Sequence, residues 1–109
     1  MRYDDWTMSS AETLPGFEAF RTEALSQGFD QVLERRWAPQ TVLQEHTHPF
    51  CASVLVVEGE FWLSVAGEER HLRPGDRFTV EAGMPHAERY GPQGAAFWVA
   101  RRNARSRGG

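Results

Sequence analysis

Turn-forming residues recur so often after residue 30 that long helices are excluded from most of this chain. Proline or glycine stands at Pro39, Pro49, Gly59, Gly67, Pro74, Gly83, Gly91 and Gly94. The segments between these positions are short and rich in valine, leucine, phenylalanine and tryptophan. Such segments, with turn signals roughly every ten residues, are typical of β-sandwiches and small β-barrels. The sequence therefore predicts an all-β domain with strands over residues 32–37, 41–48, 53–57, 61–65, 70–72, 78–80, 87–90 and 95–100.

One short amphipathic helix is predicted before the first strand. Phe17, Phe20 and Ala24 recur at the spacing that places side chains on one face of an α-helix. Pro15 suits the beginning of such a helix, and Gly28 suits its C-terminal cap.

The chain length of 109 residues fits one domain. We expect this domain to cover residues 16–100, with the helix included. Residues 1–15 are predicted to form a loose arm that packs through Trp6. Residues 101–109 contain four arginines and are predicted to be a flexible tail, with binding to an anionic partner as the alternative.

Charge and composition exclude several classes of function. The net charge of −3 argues against a nucleic-acid binder. All twelve basic residues are arginine, so lysine Schiff-base chemistry and a P-loop lysine are excluded. No apolar run is long enough to span a membrane. Residues 1–5 lack a secretory signal, and Cys51 has no second cysteine for an internal disulfide, so we expect a cytoplasmic protein.

The four histidines include one informative pair. His46 and His48 would share one face of a strand, with Cα atoms ~7 Å apart, so that both imidazoles could reach one ion. His86 follows a predicted turn over residues 83–85 that would aim it at the beginning of a strand. His71 lies among charged neighbours and is expected at the surface. An accidental histidine pair is the alternative explanation of this pattern.

Two segments around these histidines resemble the two sequence motifs of the cupin superfamily. The first is HTHPFCASVLVVEGE, residues 46–60, and the second is RPGDRFTVEAGMPH, residues 73–86. They stand in the expected order with a hairpin between them, and the resemblance covers residues 32–100. It implies a double-stranded β-barrel of the jelly-roll type that holds one divalent transition metal ion (Fe, Zn, Ni, Mn or Cu) inside. The family's ligands map onto His46, His48 and His86.

The chain departs from the family pattern at the position of the acidic ligand. The resemblance places Ala52 where the family usually has glutamate, and Tyr90 where it usually has asparagine. Three neutral imidazoles would leave the ion its full +2 charge and more open positions, which favours an anionic or chelating ligand beside Ala52. Cys51 is expected to be a small hydrophobic residue that faces away from the ion, with metal ligation as the alternative.

Three further residues are candidates through strand alternation. Gln44 would share the face of His46 and His48, as a weak ligand or a contact to an outer-shell water. Glu88 and Tyr90 would share the face of His86, and Glu88 would then be a candidate general base. A surface charge and a packed aromatic are the alternatives for Glu88 and Tyr90 respectively.

These observations favour a metal-binding enzyme that acts on a small anionic or chelating substrate. The reaction classes in question are oxygenation by a dioxygenase, isomerisation and lyase chemistry. A non-catalytic sensor or binding module is the alternative from a different class. The resemblance also implies a possible homodimer.

Overall fold

The computed structural model describes residues 15–103. The predicted arm with Trp6 and residues 104–109 of the predicted tail lie outside the described residues. Within residues 15–103 no helix is long and apolar enough to cross a membrane. The described chain forms one helix and six strands: α1 (Phe17–Ser26), β1 (Gln31–Trp37), β2 (Val42–His46), β3 (Phe50–Val65), β4 (Glu68–Leu72), β5 (Arg77–Val80) and β6 (His86–Asn103).

The two longest strands, β3 and β6, pair with each other along most of their length. They are antiparallel, and their register runs from Phe50 opposite Asn103 to Val65 opposite His86. Each half of this ribbon carries its own outer strands. Sheet I consists of β1, the second half of β6, the first half of β3, and β5. Sheet II consists of β2, the first half of β6, the second half of β3, and β4.

The ribbon changes from one sheet to the other at a bulge. Gly59 lies opposite Ala95, but Phe61, two residues later, lies opposite Tyr90. The extra residues 91–94 therefore bulge out of β6. The backbone stays hydrogen-bonded there, since the Gln40 amide donates to the carbonyl of Gly91 at 3.0 Å.

This bulge corrects the predicted strand boundaries. From the sequence, Gly91 and Gly94 with the intervening Pro92 predict a loop at residues 91–94, and Gly59 between two glutamates predicts a break or bulge at residues 58–60. The pairing of β3 with β6 shifts register within residues 56–61, so the predicted bulge at residues 58–60 is confirmed. The predicted loop at residues 91–94 is wrong, because β6 continues from His86 to Asn103 and includes these residues as its own bulge.

Helix α1 covers the outer side of sheet I. Phe20 and Ala24 are buried against Leu55 and Ala100, and the ring of Phe20 lies 5.8 Å from that of Trp98. The main core lies between the sheets and is formed by inward side chains of β3 and β6, including Val54, Val56, Phe61, Leu63, Phe97 and Val99. The helix thus leaves the interior between the sheets free for other groups.

The predicted fold class is confirmed: an all-β, double-stranded jelly-roll with one short N-terminal helix. Gly28, at φ +96°, follows the helix in the left-handed conformation expected of a C-terminal cap. The predicted beginning of the tail is wrong by three residues, because residues 101–103 continue β6. Arg101 pairs with Gln31 of β1 and Ala52 of β3, so sheet I holds it in place.

The bulge predicts a large cost for Gly59→Ala. Gly59 has φ +72°, and a Cβ there would lie 2.1 Å from the carbonyl oxygen of Gly94. Gly67 has a similar φ of +83° but no atom within 4 Å of the added Cβ. We expect Gly67→Ala to lower the free energy of unfolding by ~1 kcal/mol, and Gly59→Ala by ~3 kcal/mol or more. Urea denaturation measures both, and equal losses would contradict the close approach of the two strands.

Candidate metal centre

A cavity of about 110 Å³ lies between the two sheets. Apolar side chains of both sheets form most of its wall. Six ionisable side chains interrupt this wall: Arg35, His46, His48, His86, Glu88 and Arg101. Three of the four histidines of the chain therefore face one cavity, as the sequence predicts, whereas His71 stacks on Trp62 at the outer surface.

The three cavity imidazoles are oriented by the backbone. The Nδ1 atom of each lies within hydrogen-bond distance of a carbonyl two residues away: His46 to Gln44 at 2.7 Å, His48 to Phe50 at 3.1 Å and His86 to Met84 at 2.9 Å. A carbonyl oxygen only accepts, so Nδ1 carries the proton and donates it. The neutral ring then has its free lone pair on Nε2, which is the atom that binds metal ions.

His46 reaches the cavity through a second bulge. Leu43 lies opposite Glu88 and His46 opposite His86, so β2 advances three residues while β6 advances two. This shift turns Leu43 and His46 to the same side and leaves Gln44 exposed. The prediction that the Gln44 side chain contacts the site is therefore wrong. Gln44 contributes to the site through its backbone carbonyl, which accepts the hydrogen bond from Nδ1 of His46.

His48 reaches the cavity from outside the strand that carries His46. Strand β2 ends at His46, so the two histidines do not share a strand face as predicted. The ring of His48 stacks on Phe50 with centroids 4.1 Å apart. The centroid of His86 lies 4.4 Å from that of His46 and 4.8 Å from that of His48. The three rings therefore converge, with His86 in the middle.

Glu88 adds a carboxylate to this group. It is two residues after His86 on β6, and its Oε2 lies 3.6 Å from the Nε2 of His86. The potential ligand atoms of His46, His86 and Glu88 all lie within 4.8 Å of one another. Ligands of one transition metal ion, with bonds of ~2.1 Å, are ~3–4 Å apart. A small closure would therefore let these three side chains bind one ion, and His48 stands beside them.

Tyr90 lies behind Glu88 rather than in the cavity wall. It is 1% exposed, and its ring packs on Phe61 with centroids 4.9 Å apart. Its hydroxyl donates a hydrogen bond to Oε1 of Glu88. Burial and the charge of Glu88 raise the pKa of Tyr90 above its ordinary value, so the hydroxyl stays protonated. Tyr90 is therefore placed to orient Glu88, not to contact a ligand in the cavity.

Ala52 and Cys51 lie on opposite faces of β3. Ala52 is 5% exposed and lines the cavity, as predicted. Cys51 is not among the lining residues. Burial raises the pKa of the Cys51 thiol above its ordinary value. Both observations favour the predicted small hydrophobic residue over the thiolate ligand.

Two arginines in the cavity wall were not predicted. Arg35 alternates with Leu33 and Trp37 on β1, and Arg101 alternates with Phe97 and Val99 on β6. This period of two is the signal that could have placed both side chains inside. The predicted tail over residues 101–109 includes Arg101, so the alternation of β6 is not followed as far as this residue.

Comparisons with known proteins identify the family and the fold. A family model described as a cupin domain matches residues 34–99. The solved structure of KdgF from Halomonas sp. has a TM-score of 0.60 and 22% identity, and the match covers 70% of each chain. An RmlC-like cupin from Shewanella frigidimarina has a TM-score of 0.60 and 25% identity, over 72% of this chain and 70% of that one.

A third similar structure is the DMSP lyase DddQ from Ruegeria pomeroyi. Its TM-score is 0.61 at 25% identity, over 66% of this chain. The match spans only 37% of the lyase chain. A search of curated proteins found no match.

The burial of His48 predicts that acid destabilises the metal-free protein. Burial lowers the pKa of His48 below its ordinary value, and the neighbouring His86 and His46 act in the same direction. The unfolded chain therefore binds a proton at His48 more readily than the folded chain does. The free energy of unfolding is unaffected by this proton above the unfolded pKa of ~6.5, and it decreases as the pH falls from there toward the folded pKa. Urea unfolding of chelator-treated protein measures the slope with pH.

We expect His48→Gln to flatten this slope, since glutamine does not titrate. His71→Gln is the matched control at the surface and is expected to keep the slope that arises from His48. A wild-type slope in His48→Gln would contradict the assignment to His48.

Proposed function

This chain belongs to the cupin family, and we propose that it is an enzyme that uses one divalent transition metal ion (Fe, Zn, Ni, Mn or Cu) to transform a small molecule in the cavity between its sheets. The observation that carries the proposal is the orientation of the three imidazoles. Their Nδ1 atoms are all bound to backbone carbonyls, which leaves three Nε2 lone pairs and the Glu88 carboxylate for one cavity. Neutral imidazoles and a carboxylate are the donor set of such ions.

In this proposal His46, His48, His86 and Glu88 hold the ion. Glu88 supplies the acidic ligand that Ala52 cannot, from β6 rather than from β3. The bound ion would then have a charge of +1 instead of the +2 expected for three histidines alone. Ala52 leaves space on the β3 side, where a substrate oxygen would approach the open coordination positions.

The chemistry of such an ion is the polarisation of a substrate oxygen. The protein's own contribution is to position the metal ligands and to exclude water from the cavity. Tyr90 holds Glu88 in place through its hydroxyl, and the apolar wall between the sheets strengthens charge interactions inside the cavity. Lyase, isomerase and dioxygenase reactions all use such a site, and the similarity to a structure described as a DMSP lyase supports the lyase class. A homodimer and a cytoplasmic location stay predictions.

Elemental analysis of protein purified without a histidine tag tests the metal. We expect about one divalent ion per chain after reconstitution, and its loss in His46→Ala and His86→Ala. Turnover of a panel of small organic acids by the loaded protein then tests the enzyme. Bound metal without turnover would favour the non-catalytic binding module, and a metal-free wild type would overturn the proposal.

If Glu88 has the role of the glutamate that is missing at position 52, a carboxylate introduced at position 52 should compensate for the loss of Glu88. We expect Glu88→Gln to weaken Zn²⁺ affinity at least ~10-fold, because a charged ligand is lost. Adding Ala52→Glu to this variant should restore part of that affinity, since a carboxylate then approaches from β3. Competition with a chromogenic chelator measures each affinity.

Glu45→Gln is the matched control for this series, because Glu45 is exposed on β2 and is not part of the cavity wall. Equal affinities of Glu45→Gln and Glu88→Gln would show that Glu88 is not a ligand.

The position of Tyr90 predicts an effect on the same affinity without direct contact. Tyr90→Phe keeps the packed ring and removes the hydrogen bond to Glu88. We expect ~10-fold weaker Zn²⁺ binding, as for other groups that orient a metal ligand. In Glu88→Gln the same change should add little, because the carboxylate that Tyr90 orients is already absent. Independent, additive losses in the double variant would contradict this coupling.

A further inference from the structure

Two guanidinium groups stand in the cavity wall without a carboxylate of their own. The Cζ of Arg101 lies 4.4 Å from the ring centroid of Phe50, and the Cζ of Arg35 lies 5.0 Å from that of Trp37. Within residues 15–103 neither arginine forms an ion pair. Among the described residues Glu88 is the sole acidic residue in the wall, and its two oxygens face Tyr90 and His86.

The environment of Arg101 leaves part of its guanidinium without a hydrogen-bond acceptor. Its Nε atom is buried and has no hydrogen-bond partner among the described residues. Burial, together with the charge of Arg35, lowers the pKa of Arg101 below its ordinary value. A buried guanidinium nitrogen without an acceptor destabilises the fold unless a ligand supplies that acceptor.

The position of Ala52 explains why residues 15–103 supply no acceptor to the Nε atom of Arg101. Ala52 lies opposite Arg101 in the pairing of β3 with β6, and both line the cavity. A carboxylate at position 52 would therefore stand beside the guanidinium as well as beside the metal site. With alanine there, the space next to Arg101 continues into the space in front of the imidazoles.

We propose that Arg35 and Arg101 bind the carboxylate of the substrate, which makes the substrate a small organic acid with a second oxygen-bearing group that reaches the imidazoles. This inference rests on the proposed function, because the second group is assigned to the metal. A guanidinium offers paired N–H donors that match the two oxygens of a carboxylate. The cavity of about 110 Å³ has room for an acid with a short carbon chain.

Calorimetric titration with malonate tests the proposal, with malonamide as the uncharged probe of the same shape. We expect Zn²⁺-loaded protein to bind malonate and to bind malonamide at least ~10-fold more weakly. Arg101→Met and Arg35→Met keep an apolar stem and should each weaken malonate binding at least ~10-fold. Arg101→Lys, which keeps the charge but loses the paired donors, should fall between Arg101→Met and wild type.

Arg102→Met is the matched control, because Arg102 is exposed and lies over Phe29 on the outer face. It should bind malonate like the wild type. Thermal melts of all variants establish that they are folded. Arg101→Met removes a partly buried guanidinium whose buried Nε has no acceptor among the described residues, so its melting temperature should be unchanged or higher. Wild-type malonate affinity in a folded Arg101→Met and a folded Arg35→Met would overturn the proposal.

Repeating the titration on chelator-treated protein separates the two proposals. Arginine-dependent malonate binding that persists without metal supports the carboxylate site even where elemental analysis finds no metal in the reconstituted protein. Malonate binding that depends on Zn²⁺ but not on either arginine would leave the metal centre intact and overturn the carboxylate site.

Discussion

The pairing of β3 with β6 is the interaction on which the rest of this structure depends. Both strands contribute to both sheets, and every other strand is attached to one of them. At their common bend the backbones of β3 and β6 approach each other at Gly59 and Gly94. A Cβ atom on Gly59 would lie 2.1 Å from the carbonyl oxygen of Gly94, so no side chain fits there. The bend brings the inner faces of the two sheets together and so creates the cavity. His86 and Glu88 lie before the bulge in β6 and Arg101 lies after it, so one strand delivers both the metal-binding groups and the cation opposite Ala52.

Much of the fold follows from local signals, and the limits of prediction lie where bulges occur. Turn residues and apolar alternation predict the strands, and Phe17, Phe20 and Gly28 predict the helix. Alternation fails at Gln44, because the bulge between Leu43 and His46 shifts the alternation of β2, so that Gln44 does not share the side of His46. It succeeds at Glu88, because β6 is regular between His86 and Tyr90. Gly59 marks the bulge in β3, whereas residues 43–46 carry no glycine or proline that would mark the bulge in β2.

The positive charges of the cavity exceed its negative charge unless an acidic substrate is bound. Arg35 and Arg101 contribute two positive charges, a divalent ion would add two more, and Glu88 is the one acidic group that the described part of the chain places in the wall. An apolar wall makes like charges repel strongly, because the medium screens them little. The absence of a glutamate at position 52 thus has two effects at once: it removes a ligand from the ion and a partner from Arg101. An acidic substrate compensates for both.

The hydrogen bonds from the imidazoles to backbone carbonyls determine which substitutions around the site the histidine tautomers can tolerate. Many metal sites fix their histidine tautomers with acidic side chains, which a single substitution can remove. Here the acceptors belong to the main chain of Gln44, Phe50 and Met84, so exchanges of these side chains that preserve the backbone path leave the tautomers intact. The wall around the site is therefore free to vary in shape and charge while the donor atoms keep their proton states. A scaffold of this kind can acquire a new substrate without first having to rebuild its centre.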